Sequence, residues 1–203
     1  RATPGDLAAS WTQVAKLTAD DGAAGDYFGT SVSIDGDTMV IGGGFGCNSA
    51  YVFTRDTAGD PASGWTQVGP KLTESDGAAG DYFGVTVSIG GDTIVIGAIL
   101  DDDKGTDSGS AYVFTRDTAG DLGSGWTQVA KLTADDGAGG DQFGNSVSID
   151  GDTIVIGVQY YDDPTRGTNG HNFGSAYVFT RDTPGDLTSG WTQVAKLTAD
   201  DGA

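Results

Sequence analysis

The feature that most restricts this chain is a repeated two-strand unit: the stretch from Asp81 to Gly97 has near copies beginning at Asp26 and Asp141. Within it Phe83, Val85, Val87 and Ile89 alternate with the small residues Gly84, Thr86 and Ser88, the period-2 signal of a strand with two unlike faces. Gly90-Gly91 follows, replaced by Asp35-Gly36 and Asp150-Gly151 in the other copies. These dipeptides accept the positive φ of a two-residue hairpin turn. Residues 93–97 are then apolar on both sides, as a strand is when covered on both faces.

Two further elements recur in fixed order. A Trp-Thr-Gln-Val strand begins at Trp11, Trp65, Trp126 and Trp191, and an Ala-Tyr-Val-Phe-Thr-Arg strand at Ala50, Ala111 and Ala176. Short connections rich in Gly, Asp, Thr and Ser favour antiparallel neighbours joined as a meander. With 35 glycines and no sustained 3.6-residue period, almost no helix is expected. The predicted fold is therefore all-β: consecutive four-stranded antiparallel meander blades of the β-propeller type, forming a segment of a longer array. Polarity orders each blade. The Phe-Gly strand is innermost, and the Trp strand, carrying Thr, Gln and Lys, is the outer edge. The insertion Gly69-Pro70 reads as an edge-strand bulge.

The divisions follow from the repeat. Residues 1–23 are a partial repeat with an outer Trp strand, 24–79 blade one, 80–139 blade two, and 140–203 blade three with the start of the next inter-blade loop. Residues 181–203 repeat 1–23 with differences at only four positions. Three Phe-Gly strands against four Trp strands leave residues 11–18 without the strand that should precede them, which predicts further blades of the same chain or neighbouring copies as partners.

A formal charge of −19 repels phosphate backbones and anionic lipid, so nucleic acid is excluded as a partner class. No apolar run is long enough for membrane insertion as a helix. Cations, or a protein or glycan ligand, are better matched. Of 29 acidic residues only Glu74 is Glu. Asp suits a carboxylate that folds back on its own turn or reaches a hard cation. The loops 20–26, 75–81 and 135–141 are accordingly turn caps or Ca²⁺ sites.

Apart from Gly69-Pro70, length varies at one place, between the Ile-Val-Ile strand and the Tyr-Val-Phe strand, which marks one face of the array as the binding face. There Asp101, Asp102, Asp103 and Asp107 form the densest carboxylate run, read as a solvated charge run or as Ca²⁺ ligands; no other cofactor is expected. The third loop holds Asp162, Asp163, Arg166 and His171 with the aromatics Tyr160, Tyr161 and Phe173, which either pack or contact a ligand. Residues 42–46 are glycine-rich, but no helix is expected to follow and present N–H groups, so a phosphate cradle is not predicted. Arg55, Arg116 and Arg181 are expected to pair with Asp neighbours at little net gain. Cys47 is single, so no intrachain disulfide forms. One His, one Glu and one Cys assemble no nucleophile-base arrangement, and no enzyme is predicted.

The recurring Leu-Thr-x-x-Asp-Gly-Ala-x-Gly-Asp-x-Phe-Gly, then Asp-Thr-Ile-Val-Ile-Gly-Ala, then Gly-Ser-Ala-Tyr-Val-Phe resembles the FG-GAP repeat family over nearly the whole chain. Phe28-Gly29, Phe83-Gly84 and Phe143-Gly144 match the first half of the motif. Gly97-Ala98 matches the second, from which Gly42-Gly43 and Gly157-Val158 depart. The resemblance implies propeller blades like those of integrin α-subunit heads, usually extracellular or at the cell surface and concerned with adhesion or ligand binding. Integrin-type members carry a calcium loop between the first two strands of a blade. Here residues 34–37 are too short to wrap a cation, so the chain is closer to the subgroup without that loop. The functional expectation is a non-enzymatic extracellular structural or adhesive array, with a lectin-like or protein-binding propeller as the alternative.

Overall fold

In the computed structural model, which describes residues 12–161 and 173–199, each two-strand unit opens a four-stranded antiparallel sheet. The first blade comprises β1 (Ser31–Asp35), β2 (Thr38–Gly42), β3 (Ala50–Arg55) and β4 (Trp65–Gln67), with a one-turn helix α1 (Gly44–Cys47) between β2 and β3. The second is β5 (Phe83–Gly90), β6 (Thr93–Ala98), β7 (Ser110–Arg116) and β8 (Trp126–Leu132). The third is β9 (Phe143–Asp150), β10 (Thr153–Val158), β11 (Ser175–Arg181) and β12 (Trp191–Leu197). Strands lie in chain order within every sheet, so each blade is a meander. The Phe-Gly strands β1, β5 and β9 pack side by side, and the Trp strand takes the far edge. The array is not closed into a ring by these residues.

The hairpin turn sits one residue later than the dipeptides suggested. Asp35 pairs with Thr38, Gly90 with Thr93 and Asp150 with Thr153, leaving Gly36-Asp37, Gly91-Asp92 and Gly151-Asp152 as the loops. Only the glycines have positive φ, at 55°, 57° and 54°, the pattern of a type II′ turn. The Asp is thereby free for other work. Asp37, Asp92 and Asp152 each accept from an Arg Nε of the third strand and from the N–H of Gly59, Gly120 or Gly185 in the loop leading to the fourth.

Alternation along the Phe-Gly strand is broken by a bulge. Phe83 pairs with Ala98 but Thr86 with Gly97, so Gly84 and Val85 are extruded and Val85 leaves the core. Gly84 and Gly144 have φ of 90° and 94°. Both are also packed against the preceding blade: a Cβ on Gly84 would overlap the Ser49 carbonyl and one on Gly144 the Ser110 carbonyl. Gly42 and Gly97 in turn back onto the carbonyls of Gly84 and Gly144. The motif glycines are points where adjacent blades touch backbone to backbone.

The cores lie between blades. Val40, Ala50, Val52 and Leu72 of the first blade close over Phe83, Val87, Ile89 and Tyr112 of the second, and Val95, Val113, Leu132 and Ala134 close over Phe143, Ile149 and Tyr177 of the third. Phe83 and Phe143 are fully buried, as the repeat predicts. Phe83 meets Tyr112 and Phe114 edge-on at 5.6 and 6.1 Å. These two cores each need two blades, and a smaller third cluster, Ile41, Tyr51 and Phe53, lies in the first blade against Leu17 and Ala19.

The arginines contribute more than the sequence suggested. Arg116 and Arg181 are buried, stack at 4.5 Å on Trp126 and Trp191, and reach across to Thr38 and Thr93 of the preceding blade at 3.0 and 2.9 Å. They bolt blades together rather than decorate a surface. Trp11 lies outside the described residues, and 12–19 form no strand; Leu17 and Ala19 pack against the first blade beside Phe28. In the outer strands, pairing skips Val129 and Val194, and the first blade adds Gly69-Pro70 at the same place, which ends β4 at Gln67 until Leu72 rejoins Ala50.

Candidate functional site

The loops joining blades and the variable loops share one end of the array, and their aspartates have defined partners. Asp26, Asp81 and Asp141 accept from the N–H of Ala23, Ala78 and Ala138 at 2.6, 2.7 and 2.8 Å, closing each linker on itself. Asp21, Asp76 and Asp136 accept from the hydroxyls of Tyr51, Tyr112 and Tyr177 at 2.9, 3.0 and 2.8 Å. The same three pair with Lys71, Lys131 and Lys196 at 2.9, 2.8 and 2.6 Å. Each linker is thus tied to the third and fourth strands of the blade it leads into. The Lys71 hydrogen bond holds the Asp21 carboxyl below its ordinary range, and Lys131 does the same for Asp76. Burial pushes the Tyr177 hydroxyl up to about 12, so it remains a donor at any physiological pH.

Asp101 is the buried centre of the second variable loop. It accepts from Ser110, Tyr112 and Lys131 side chains at 2.9, 2.9 and 3.0 Å and from the Asp103 N–H at 3.1 Å. Burial pushes its carboxyl up, but these bonds outweigh burial and hold it below the usual carboxylate range. Lys131 also meets Asp103 at 2.7 Å, so an ammonium stands at the middle of the cluster. Asp102 accepts from the N–H of Asp107, whose own carbonyl receives Gln142 of the next blade. The loop is a staple across the junction. Among the described residues no group of three or more His, Cys, Asp or Glu side chains is placed to hold a metal ion.

Of the third-loop residues, Asp162, Asp163, Arg166 and His171 lie outside the described residues. Tyr161 is buried in the core with the Lys196 ammonium 3.3 Å over its ring, which gives it a packing role and no outward face. Tyr160 is exposed beside it, its N–H on the Asp141 carbonyl, and the Phe173 N–H donates to Tyr161.

Sequence reasoning missed the aromatic row on this face. Phe45 of α1 stands between Tyr27 and Tyr82 with edge-on contacts at 6.1 and 5.1 Å, and Tyr27 and Phe45 are exposed. Tyr27 and Tyr82 precede the Phe-Gly glycines and sit at φ of 51° and 58°, as does Gln142 at 57°. This left-handed backbone lets the Tyr leave the sheet while the following Phe turns toward the core. The available signal was Phe45 within a glycine run, an aromatic with no counterpart in the second variable loop. Such a row offers ring faces and edges to aliphatic or aromatic side chains, or to sugar rings.

The FG-GAP repeat family matches residues 11–53, 65–114 and 126–179, three stretches that each open on a Trp segment and end in the third strand of the next blade. No curated protein matches the chain. Among solved structures, Sqt1 of Saccharomyces cerevisiae is similar at 12% identity with a TM-score of 0.50, over 87% of this chain and 37% of that one. That likeness is one of fold, and the chain spans little more than a third of the longer protein's length. No helix among the described residues is long and apolar enough to cross a membrane. Three consecutive family matches, each running from a Trp segment through the first three strands of the following blade and so in step with the structural repeat, place this chain in the FG-GAP repeat family.

Proposed function

We propose that this chain is a non-enzymatic structural or adhesive module of an extracellular or cell-surface protein, and that it holds a protein partner on its loop face. The observation that carries the reading is the row of exposed Tyr27 and Phe45 with half-buried Tyr82, set where the first two blades meet. Aromatic anchors with few rotatable bonds bind at low entropic cost. Asp102, Asp103 and Asp107 flank the same face and favour a partner carrying basic residues around an apolar anchor. FG-GAP repeats are typical of surface proteins and of interaction modules, which supports the setting. A lectin-like role is the second reading, favoured by the same ring faces with carboxylates nearby as hydroxyl acceptors.

The test compares the chain with its Phe45→Ser variant on a basic-hydrophobic peptide array and on a glycan array. Peptide binding lost in the variant supports the first reading, and glycan binding lost in the variant supports the second. Binding that ignores Phe45 refutes both.

A further inference from the structure

The two internal junctions share a core set of contacts. At the first, Ser31 Oγ and Ser33 Oγ accept from the N–H groups of Val87 and Ile89 at 3.1 and 3.2 Å, and Asp35 accepts from Gly91 N–H at 2.6 Å. Thr38 accepts from Arg116, and Gly42 backs onto Gly84. The second junction repeats three of these contacts, Ser88 accepting from Ile149 N–H, Thr93 from Arg181 and Gly97 backing onto Gly144, and departs at Thr86, whose hydroxyl donates to the Gly144 carbonyl, and at Gly90, which replaces Asp35. At the first junction the trailing face's Ser, Asp and Thr side chains accept and the leading face donates.

Among the described residues two such faces remain open. The trailing face of the third blade carries Ser146, Ser148, Asp150, Thr153 and Gly157, identical in type to Ser31, Ser33, Asp35, Thr38 and Gly42. Val155 on that face is 38% exposed where its counterparts Val40 and Val95 are 0%. The leading face of the first blade presents Val32, Ile34, Gly36, Arg55 and Gly29, identical in type to Val87, Ile89, Gly91, Arg116 and Gly84. Val32 and Ile34 are 67% and 57% exposed, against 6% for Val87 and for Ile89. Every position needed to rebuild the first junction is present.

We infer that the trailing face of the third blade docks the leading face of the first blade of a second copy of this chain, joining copies head to tail. Docking buries two large side chains on one face and Val155 on the other, and it supplies Thr153 with an Arg55 partner. One seat is claimed twice. Leu197 occupies the position at which Leu72 and Leu132 cover the following blade's Phe, while Leu17 of the incoming copy packs beside its own Phe28. Residues 12–19 are the segment that yields, because they belong to no strand whereas Leu197 ends β12. The contact is heterologous, so copies form rings or open chains according to whether the rotation closes.

The test is sedimentation velocity over a range of concentrations, on the 203-residue chain and on two variants. Ile34→Arg blocks the leading face and Ser148→Arg the trailing one; both sites are exposed, and circular dichroism checks folding. If either variant misfolds, Val32→Glu or Asp150→Arg blocks the same face. The unmodified chain should associate with concentration, each variant alone should stay monomeric, and an equimolar mixture should give a 1:1 dimer and nothing larger. That complementation follows only if unlike faces meet. A chain monomeric throughout, a variant that associates by itself, or a mixture that stays monomeric while the unmodified chain associates overturns the inference.

Discussion

Glu74 is the one glutamate, and it occupies the place that Ala19 and Ala134 hold in the other linkers. Ala134 is buried in the core between blades, so Glu74 puts a carboxyl where the repeat calls for a methyl group. Its Oε2 is buried without a hydrogen-bond partner. Burial, and then the nearby carboxylates Asp81, Asp101 and Asp76, push its pKa from 4.5 up to about 7. The raised value means the folded state holds the proton more tightly than the unfolded chain. Stability from this group is full below pH 4.5 and is lost as pH rises through 7. A complete swing over that interval would be worth about 3 kcal/mol, and because the side chain is only half-buried, screening reduces it to about 1–2 kcal/mol. Glu74→Ala should therefore stabilise the chain at pH 8 by about 1–2 kcal/mol and do little at pH 4. Urea unfolding of both proteins at pH 4, 6 and 8 measures it, since all other titrations are shared and cancel. Parallel pH profiles for the two proteins would refute the reasoning.

Lys131→Met should cost about 3 kcal/mol at neutral pH, since it strands the buried Asp101 carboxylate beside Asp76 and Asp103; chemical denaturation reads it, and a loss under 1 kcal/mol would show the cluster to be solvated. Phe83→Ala should cost about 3–5 kcal/mol by emptying the junction between the first two blades, measured the same way. Gly84→Ala should cost more than the roughly 1–3 kcal/mol of its strained φ, because the new methyl also meets the Ser49 carbonyl, and a normal melting temperature would contradict the backbone contact. Ca²⁺ and NaCl at equal ionic strength should shift melting alike, because Lys131 already supplies the cation at Asp101 and Asp103; a Ca²⁺-specific rise removed by Asp103→Asn and Asp107→Asn would restore the calcium reading of that loop.

The blades were legible because repetition supplies what one strand does not. Alternation in residues 83–89 gives a period, and its recurrence at Asp26 and Asp141 with the Trp and Tyr-Val-Phe strands between gives an order. The hairpin was misplaced by one residue because Asp-Gly and Gly-Gly satisfy a two-residue turn, and only the pairing of Asp35 with Thr38 shows that Gly36 comes first in it. The arginines were undervalued because their neighbours in sequence are Thr54 and Asp56, whereas Arg116 bonds Thr38, 78 residues away. Tyr161 and Tyr160 are adjacent and alike, and only packing under Lys196 separates a core ring from an exposed one. The Tyr27, Phe45 and Tyr82 row was hidden for the opposite reason. Its members come from two copies of the linker and one variable loop, and no spacing in the chain links them.

The aspartates raise a question of composition that the structure resolves in physical terms. A charge of −19 on 203 residues points to a surface that repels itself or collects cations. Much of it is instead consumed inside the repeat. Asp37, Asp92 and Asp152 answer three arginines, Asp21, Asp76 and Asp136 answer three tyrosines and three lysines, and Asp26, Asp81 and Asp141 close three turns. Asp60, Asp121 and Asp186 accept from the N–H two residues on, again once per blade. At each turn the acceptor must reach a donor two or three residues away, a distance that one methylene spans and a second overshoots. Asp is therefore selected by turn geometry, and the negative charge is its by-product. Glu74 stands outside this pattern, at a position where the other linkers carry Ala, and its carboxyl rests against the junction with its proton held into the neutral range.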